Sequence, residues 1–412
     1  MNDDQEIILV EITTPVYGGE GMGRLADGRA VFVPYCLPGE LVRVAIVEEK
    51  RGFARARLLE VVRPSLQRIA PRCRHFGVCG GCHYQHAGYA AQLEIKRAVV
   101  RDQLQRIGSI PDPPVMDVVP SPAAWNYRNT IQFHLDPAGR VGFQQWGSHE
   151  VVPIVECHLP ADELNQIWPR LDLEALPSLE RIELRQGADG EALLVLHSSD
   201  LAAPEFSVDF PISAVHLSPA GKIILAGDDY ILMEVLGRTF KVSADSFFQV
   251  NTAQAAAMVS YLLEALPLDP NVTVLDVYCG VGLFSAFLAP RVRRCIGVEL
   301  SEAACDDYAV NLDEFDNVEL YQGDAGQILP HLNLRPELVL VDPPRAGIER
   351  AVLDALVTMQ PQTIAYISCD PATLARDLKR LLAAGYQLAQ VKPFDLFPQT
   401  YHVESVALIK HS

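Results

Sequence analysis

The sequence predicts a multidomain α/β protein with three parts: an N-terminal small β-barrel, a central β-rich α+β domain with a cysteine cluster, and a C-terminal Rossmann-like domain. Its 412 residues exceed one ordinary core and suggest roughly two to four domains. Short apolar runs divided by glycine and proline fill the first 62 residues, whereas helices alternating with apolar strands follow residue 240. We therefore predict domains at 1–65, 66–240 and 241–412.

The first domain is predicted to be a small antiparallel barrel of the oligonucleotide-binding (OB) kind. Its expected strands are Ile7–Ile12, Ala30–Val33, Glu40–Glu48 and Phe53–Val62. Residues 43–74 carry nine Lys and Arg against three acids, although the whole chain has a net charge of −18. This basic stretch is a candidate anion-binding face, or else ordinary solvated charge.

The second domain begins with a cysteine-, histidine- and glycine-rich segment at 66–87 that lacks any hydrophobic period. A helix is expected over 88–108, where it would pack on the C-terminal domain. A proline-rich linker at 111–122 precedes a mixed or antiparallel β region at 125–235.

The third domain has the alternation of a parallel, doubly wound sheet. The expected strands are Val272–Val277, Arg294–Glu299, Val318–Gln322, Leu338–Val341, Thr363–Ser368, Tyr386–Pro393 and Val403–Lys410.

Composition excludes several classes of protein. No run approaches the ~20 apolar residues of a membrane span, and the acidic N-terminus lacks a signal-peptide pattern. A cytoplasmic location is expected, where nine cysteines are better explained as metal ligands, a nucleophile or buried thiols than as disulfides. We expect no membrane partner and a monomer.

The C-terminal domain carries a candidate cofactor site. Tyr278-Cys279-Gly280-Val281-Gly282 follows the first strand, and glycines there let the backbone approach a ligand. The next three strands end near Glu299, Asp324 and Asp342. An acid after the second strand can accept both ribose hydroxyls. This series resembles class I S-adenosylmethionine-dependent methyltransferases.

The reactive residues are predicted at the ends of later strands. Asp342-Pro343-Pro344 continues into Arg345 rather than the aromatic residue that enzymes methylating exocyclic amines require, so another target atom is indicated. Carbon 5 of a pyrimidine becomes nucleophilic once a thiolate adds to carbon 6, and the reaction then needs a base for the carbon 5 proton. Cys369 is the candidate thiol and Glu404 the candidate base.

Four cysteines form a candidate metal site. Cys73, Cys79 and Cys82 are closely spaced, and Cys157 is remote in sequence. Closely spaced thiolates bind soft metals, whereas zinc modules more often show two CxxC pairs. Four of the other cysteines, Cys36, Cys279, Cys295 and Cys305, are expected to be structural.

Five ordered motifs together resemble the RNA uracil-5 methyltransferase family over essentially the whole chain. They are Phe247–Asn251, Asp276–Gly282, Asp342–Gly347, Ser368–Asp377 and Asp395–Glu404. The resemblance places the nucleophile on Cys369 and the proton acceptor on Glu404. It places S-adenosylmethionine contacts on Gln249, Tyr278, Gly280, Glu299 and Asp342, and less directly on Asp324. Cytosine-5 enzymes are disfavoured because they usually carry a cysteine where this chain has Pro344.

The resemblance also implies a subgroup. The barrel is similar to a TRAM domain, and the four cysteines match those that hold a [4Fe–4S] cluster, with zinc as the alternative metal. The implied function is methylation of one uridine at carbon 5 in RNA, with 23S rRNA favoured and tRNA as the alternative. From another class, a non-catalytic RNA-binding iron–sulfur protein remains open, although the presence of both Cys369 and Glu404 argues against it.

Overall fold

The computed structural model describes residues 6–171, 178–204 and 210–411. Its N-terminal part is a closed barrel with strand order β1-β2-β3-β5-β4. The strands are β1 Ile7–Val16, β2 Glu20–Arg24, β3 Ala30–Pro34, β4 Leu41–Glu49 and β5 Phe53–Arg63. The glycine-rich strand β2 is not among the strands expected from the sequence. Gly23 is needed there, since a Cβ atom would stand 2.4 Å from Val10 Cγ1 and 2.5 Å from the Glu11 carbonyl oxygen.

Much of the basic stretch in the barrel is paired with acids. Arg43 contacts Glu60 on the neighbouring strand, and Arg55 Nη1 lies 2.7 Å from a carboxylate oxygen of Glu20. Such exposed ion pairs add little stability, but they neutralise positive charge. A phosphate-binding role for this face stays a prediction.

The central region is built on a seven-stranded sheet of order β12-β11-β10-β9-β6-β7-β8. Its strands are β6 Thr130–Leu135, β7 Val141–Gln144, β8 Val151–Pro153, β9 Leu179–Gln186, β10 Ala192–Ser198, β11 Ser213–Ser218 and β12 Gly221–Ala226. All pairs are antiparallel except β10 with β11, so the sheet is mixed. The hairpin of β13 Tyr230–Val235 and β14 Arg238–Ser243 leads into the C-terminal part.

The C-terminal sheet has the order β17-β16-β15-β18-β19-β21-β20. Its strands are β15 Thr273–Val277, β16 Arg294–Glu299, β17 Val318–Gln322, β18 Leu338–Val341, β19 Thr363–Ser368, β20 Tyr386–Phe394 and β21 Glu404–His411. The expectation of a parallel sheet is wrong for β21, which runs antiparallel to both β19 and β20. The cause is the connection 395–403, which is too short for the dozen or more residues of a parallel crossover.

The α-helices of the described residues lie mainly on the two faces of this sheet. They are α1 Tyr89–Arg106, α2 Asp162–Ile167, α3 Thr252–Ala265, α4 Leu283–Leu288, α5 Glu302–Asn311, α6 Ala325–Ile328, α7 Arg350–Met359 and α8 Pro371–Ala383. Apolar side chains of β10 and β11 share one hydrophobic core with α3, α4 and the sheet. The central and C-terminal parts are therefore packed together through this core.

Helix α1 packs on α8, as the sequence suggested for 88–108. Val100 and Leu104 join the same buried cluster as Leu378. Lys96 is fully buried and donates to Asp395, and its Nζ also lies 2.9 Å from the Phe397 carbonyl oxygen. Helix α1 thus holds the start of the connection between β20 and β21. Within the described ranges, no helix is long and apolar enough to cross a membrane.

Candidate active site

One large cavity of about 990 Å³ opens at the carboxyl edge of the C-terminal sheet and extends to the cysteine-rich segment. Every candidate site residue identified in the sequence lines this cavity: Gln249, Tyr278, Gly280, Glu299, Asp324, Asp342, Cys369, Glu404, Cys73, Cys79, Cys82 and Cys157. The fold therefore brings together residues from the central and C-terminal domains. Their individual roles stay predictions at this point.

The loop after β15 is shaped to leave room for a ligand. Tyr278, Gly280 and Gly282 have φ angles of 64°, 53° and 89°, all in the left-handed region. A Cβ on Gly280 would meet no atom within 4 Å, whereas one on Gly282 would stand 2.4 Å from Leu312 Cδ1. Gly282 thus serves close packing, and Gly280 leaves its backbone open to the cavity.

The acids at the strand ends are held by backbone N–H groups. Glu299 accepts a hydrogen bond of 2.9 Å from Gly280 N, and its other oxygen accepts from Leu300 N and Ser301 N at 2.8 Å each. Asp324 caps α6 by accepting from Gln327 N at 3.0 Å. Both carboxylates are fixed at the cavity wall. The open glycine backbone and these acids suit the polar groups of a nucleoside-bearing methyl donor.

Cys369 and Glu404 lie next to each other across the sheet. Cys369 follows the last residue of β19, and Glu404 is the first residue of β21. Ser368 pairs with Ser405, so the two reactive candidates flank the same pair of residues. Because β21 is reversed, its beginning meets the carboxyl end of β19.

Burial controls the protonation of both groups. It raises the pKa of Cys369 to about 12, with Glu404 and Asp342 adding to the rise and Arg345 opposing it. Burial also raises the pKa of Glu404 well above its ordinary value, again with Asp342 adding and Arg345 opposing. Burial therefore favours the protonated form of both groups in the ligand-free protein. The positive charge of Arg345 opposes both rises in pKa, so this residue favours the thiolate and the carboxylate.

The backbone after Cys369 is anchored by the barrel. Asp370 caps α8, since its Oδ1 accepts from Ala372 N at 2.8 Å and from Thr373 N at 2.9 Å. Its Oδ2 accepts a hydrogen bond of 2.8 Å from the Tyr17 hydroxyl. Sequence reasoning missed Tyr17, which no local pattern connects to a residue in the C-terminal domain.

The connection before Glu404 is anchored by the cysteine-rich segment and α1. Gln399 is buried and has a φ of 69°. Its carbonyl oxygen accepts from His83 N at 2.8 Å and from Tyr84 N at 2.9 Å. Gln399 also forms two hydrogen bonds with Gln92 of α1: its side-chain Oε1 accepts from Gln92 Nε2, and its backbone N–H donates to Gln92 Oε1, both at 3.0 Å. The position of Glu404 therefore depends on residues outside the C-terminal domain.

The four cysteines of the central domain face the other end of the cavity as free thiols. Cys73 Sγ accepts from His75 N and Cys79 Sγ accepts from Gly81 N, both at 3.4 Å. Burial raises the pKa of Cys157 to about 12, with Cys79 and Cys73 among the further causes. Over the described ranges, no three His, Cys, Asp or Glu side chains are arranged to hold one metal ion.

The strand order with its reversed β21, the glycine loop and the strand-end acids define a class I S-adenosylmethionine-dependent methyltransferase. A family model described as tRNA (Uracil-5-)-methyltransferase matches residues 197–412, and a TRAM domain model matches residues 5–59. The chain belongs to the TRAM-containing RNA uracil-5 methyltransferase family, which confirms the resemblance seen in the sequence. It is an RNA methyltransferase of the uracil-5 type that uses S-adenosylmethionine.

Similar proteins support this assignment over the full length. An uncharacterized RNA methyltransferase of Thermosynechococcus vestitus is 35% identical, with 98% of each chain covered. Another from Aquifex aeolicus is also 35% identical, with 96% of each covered. Among solved structures, the Pyrococcus abyssi tRNA (uracil-54, C5)-methyltransferase in complex with S-adenosyl-L-homocysteine is 26% identical. Its TM-score is 0.74, with 98% of this chain and 100% of that chain covered.

Proposed function

We propose that the protein methylates carbon 5 of one uridine in 23S rRNA, with Cys369 as nucleophile and Glu404 as the base that removes the carbon 5 proton. The observation that carries the chemistry is the placement of both residues at one sheet edge, in the cavity that also holds the glycine loop and the acids Glu299 and Asp342. A non-catalytic RNA-binding protein would have no need for this arrangement.

The donor would be held by Gln249, Tyr278, Gly280, Glu299, Asp324 and Asp342. S-adenosylmethionine supplies an electrophilic methyl group when bound. The Cys369 thiolate forms a bond to carbon 6 of the uracil, and the electron pair of the 5,6 double bond makes carbon 5 nucleophilic. After carbon 5 is methylated, its proton passes to Glu404, the double bond re-forms, and the Cys369 thiolate leaves.

The raised pKa values fit this order of events. A carboxyl group with a raised pKa is a stronger base once ionised, so Glu404 suits removal of a proton from carbon. Burial raises the pKa values of both Glu404 and Asp342, which reduces the negative charge beside Cys369 in the free protein. Arg345 stands near enough to favour the ionised forms when they are needed.

Two features support 23S rRNA as the proposed substrate. A TRAM domain together with four such cysteines resembles the branch of the family that acts on large-subunit rRNA. The similar Pyrococcus abyssi protein is named as a tRNA (uracil-54, C5)-methyltransferase, which favours tRNA as the second candidate. The target uridine must leave its stack in either RNA, because the thiolate needs access to the face of the base.

The substrate is tested by mapping methylated nucleotides. RNA from a strain lacking this gene is incubated with the protein and S-adenosylmethionine, and 23S rRNA and tRNA are digested and analysed separately by mass spectrometry. We expect a new 5-methyluridine at one position of 23S rRNA. Methylation of tRNA alone would replace the first candidate by the second, and methylation of neither would refute both.

We also propose that Cys73, Cys79, Cys82 and Cys157 hold a [4Fe–4S] cluster. Their thiols converge on one cavity wall, and two of the sulfurs already accept backbone N–H groups, as thiolate ligands do. A single zinc ion would need sulfurs about 4 Å apart, given Zn–S bonds of about 2.3 Å. The described residues show no such grouping, so the cluster is proposed from the cysteine spacing and its resemblance to the iron–sulfur subgroup.

The cluster would have a structural role. It would fix the segment whose His83 and Tyr84 N–H groups hold Gln399, and so support the connection that ends at Glu404. Sulfur ligands bind iron and zinc only as thiolates, so metal binding would also lower the pKa of thiols that burial now raises.

Anaerobic reconstitution with iron and sulfide should give a brown protein with about four irons per chain, as the cluster formula requires. Cys82→Ser should lose iron because one of the four ligands is removed. The matched control is Cys36→Ser, a buried thiol in the barrel whose hydrogen bond to the Pro34 carbonyl oxygen serine can keep. A colourless protein with stoichiometric zinc would contradict the cluster.

A further inference from the structure

A second cavity of about 360 Å³ lies beside the catalytic one. Its wall includes Gly80, His83, Gln145, Trp146, Tyr401 and His402. Gly80, His83 and His402 line both cavities, so the two spaces share a wall. A molecule that reaches the catalytic cavity therefore has this second space immediately next to it.

Aromatic rings from three separate segments converge on the second cavity. Trp146 comes from the turn between β7 and β8, His83 from the cysteine-rich segment, and Tyr401 from the connection before Glu404. The His83 ring centroid lies 5.9 Å from that of Trp146 and 4.6 Å from that of Tyr401, in edge-to-face arrangements. Trp146 and Tyr401 remain half-buried, which leaves ring surface open to a ligand.

The second cavity combines aromatic rings with polar, mostly uncharged groups: the amides of Gln144 and Gln145, the Ser148 hydroxyl and the imidazole of His149. Among the described residues that line it, none is Lys, Arg, Asp or Glu. A phosphate would find no Lys or Arg among these lining residues. A planar uncharged ring would find aromatic faces together with the amides of Gln144 and Gln145.

We propose that this cavity binds a nucleobase of the RNA next to the target uridine, by stacking on Trp146 and Tyr401. The proposal rests on the proposed function, since it assigns a subsite to the same RNA. Sequence-specific RNA recognition commonly splays single-stranded bases onto aromatic side chains. Tyr401 precedes Glu404 by three residues, and the shared wall fits a base one or a few nucleotides from the one that is methylated.

The test combines protein variants with an abasic scan of the RNA. The probe is a fragment of 23S rRNA around the mapped uridine, with one abasic nucleotide placed in turn at each flanking position. We expect one position where loss of the base weakens binding by about 5-fold to 150-fold, the range of base–aromatic stacking. Trp146→Ala should weaken binding of the intact RNA similarly. For that variant, the same abasic site should cost nothing further.

Controls separate stacking from a general disturbance of the fold. Trp146→Phe should recover part of the affinity, because a smaller ring still stacks. Trp125→Ala alters a half-buried tryptophan of the same domain that lines neither cavity, and it should retain the full abasic penalty. Thermal unfolding and iron content show whether each variant is intact.

The outcomes distinguish this proposal from the proposed function. Independent, additive effects of Trp146→Ala and every abasic site would overturn it, as would unchanged binding by Trp146→Ala. Binding is measured by titration without methyl transfer, so the scan reports on the cavity even if carbon 5 of uridine is not the target. If the methyl group maps to an atom other than carbon 5 of uridine, the proposed function fails, whereas the coupling between Trp146 and a base near the mapped nucleotide can still be observed.

Discussion

Cys369→Ala abolishes methyl transfer, with a rate at least about 10⁴-fold below that of the wild-type protein. Without a thiolate, carbon 5 of uracil never becomes nucleophilic, so the loss is in the chemical step rather than in binding. RNA affinity should change little because the side chain is small. The measurement is transfer of labelled methyl groups to RNA, together with a separate binding titration.

The covalent step has its own readout. With 5-fluorouridine at the target position, the proton that Glu404 would remove is replaced by fluorine, so the adduct cannot break down. The wild-type protein should form an RNA adduct that survives denaturant, and Cys369→Ala should form none. Cys305→Ala changes a buried thiol that does not line the catalytic cavity, and it should behave as wild type.

Iron content tests the separation of roles among the cysteines. Cys369→Ala should keep the full iron content, because the proposed cluster ligands are Cys73, Cys79, Cys82 and Cys157. Loss of iron together with activity would contradict this separation. An adduct formed by Cys369→Ala would contradict its role as nucleophile.

Glu404→Gln lowers turnover by about 10²- to 10⁴-fold, the usual contribution of a general base, and makes a methylated adduct accumulate. Cys369 can still add to carbon 6 and carbon 5 can still be methylated. The proton on carbon 5 then has no acceptor, so the bond to Cys369 persists. A denaturing gel should show a slow-migrating protein–RNA band that carries the methyl label.

A second glutamate in the same cavity provides the matched control. Glu349 also lines the cavity but lies before α7, away from the β19–β21 edge. The Glu349→Gln variant should therefore form no persistent adduct. An unmethylated adduct in Glu404→Gln, or the absence of any adduct, would show that Glu404 acts before proton removal.

Since the pKa of Glu404 is raised, the wild-type single-turnover rate should increase with pH until that carboxyl is ionised.

The strand-end residues were predictable because their positions follow from chain periodicity. Apolar runs predicted all seven strands of the C-terminal sheet to within one or two residues at each end. Polar residues that follow parallel strands must lie together at the carboxyl edge of the sheet. Cys369 was predicted to line the cavity because it directly follows the apolar run of β19. Glu404 was also expected at this edge, although it is the first residue of its strand. It lies there because β21 is antiparallel, so its beginning meets the carboxyl end of β19.

Contacts between distant segments were not predictable. The hydrogen bond from Tyr17 to Asp370 spans 353 positions, and the pairing of Gln92 with Gln399 spans 307. Neither residue type has a pattern that identifies its partner, because the contact is decided by how the domains pack. Strand β2 was missed for a local reason, since glycines that permit close packing resemble glycines that form turns.

The insertion of β21 between β19 and β20 sets an order in which the enzyme can become active. During synthesis β19 and β20 emerge before β21, and neither can complete the sheet because the strand that joins them does not yet exist. Until β21 enters this gap, Glu404 has no fixed position beside Cys369. A nascent chain released before this strand is made would carry the thiol and the donor-binding loop without the base. The topology therefore delays the placement of Glu404 beside Cys369 until this strand has joined the sheet.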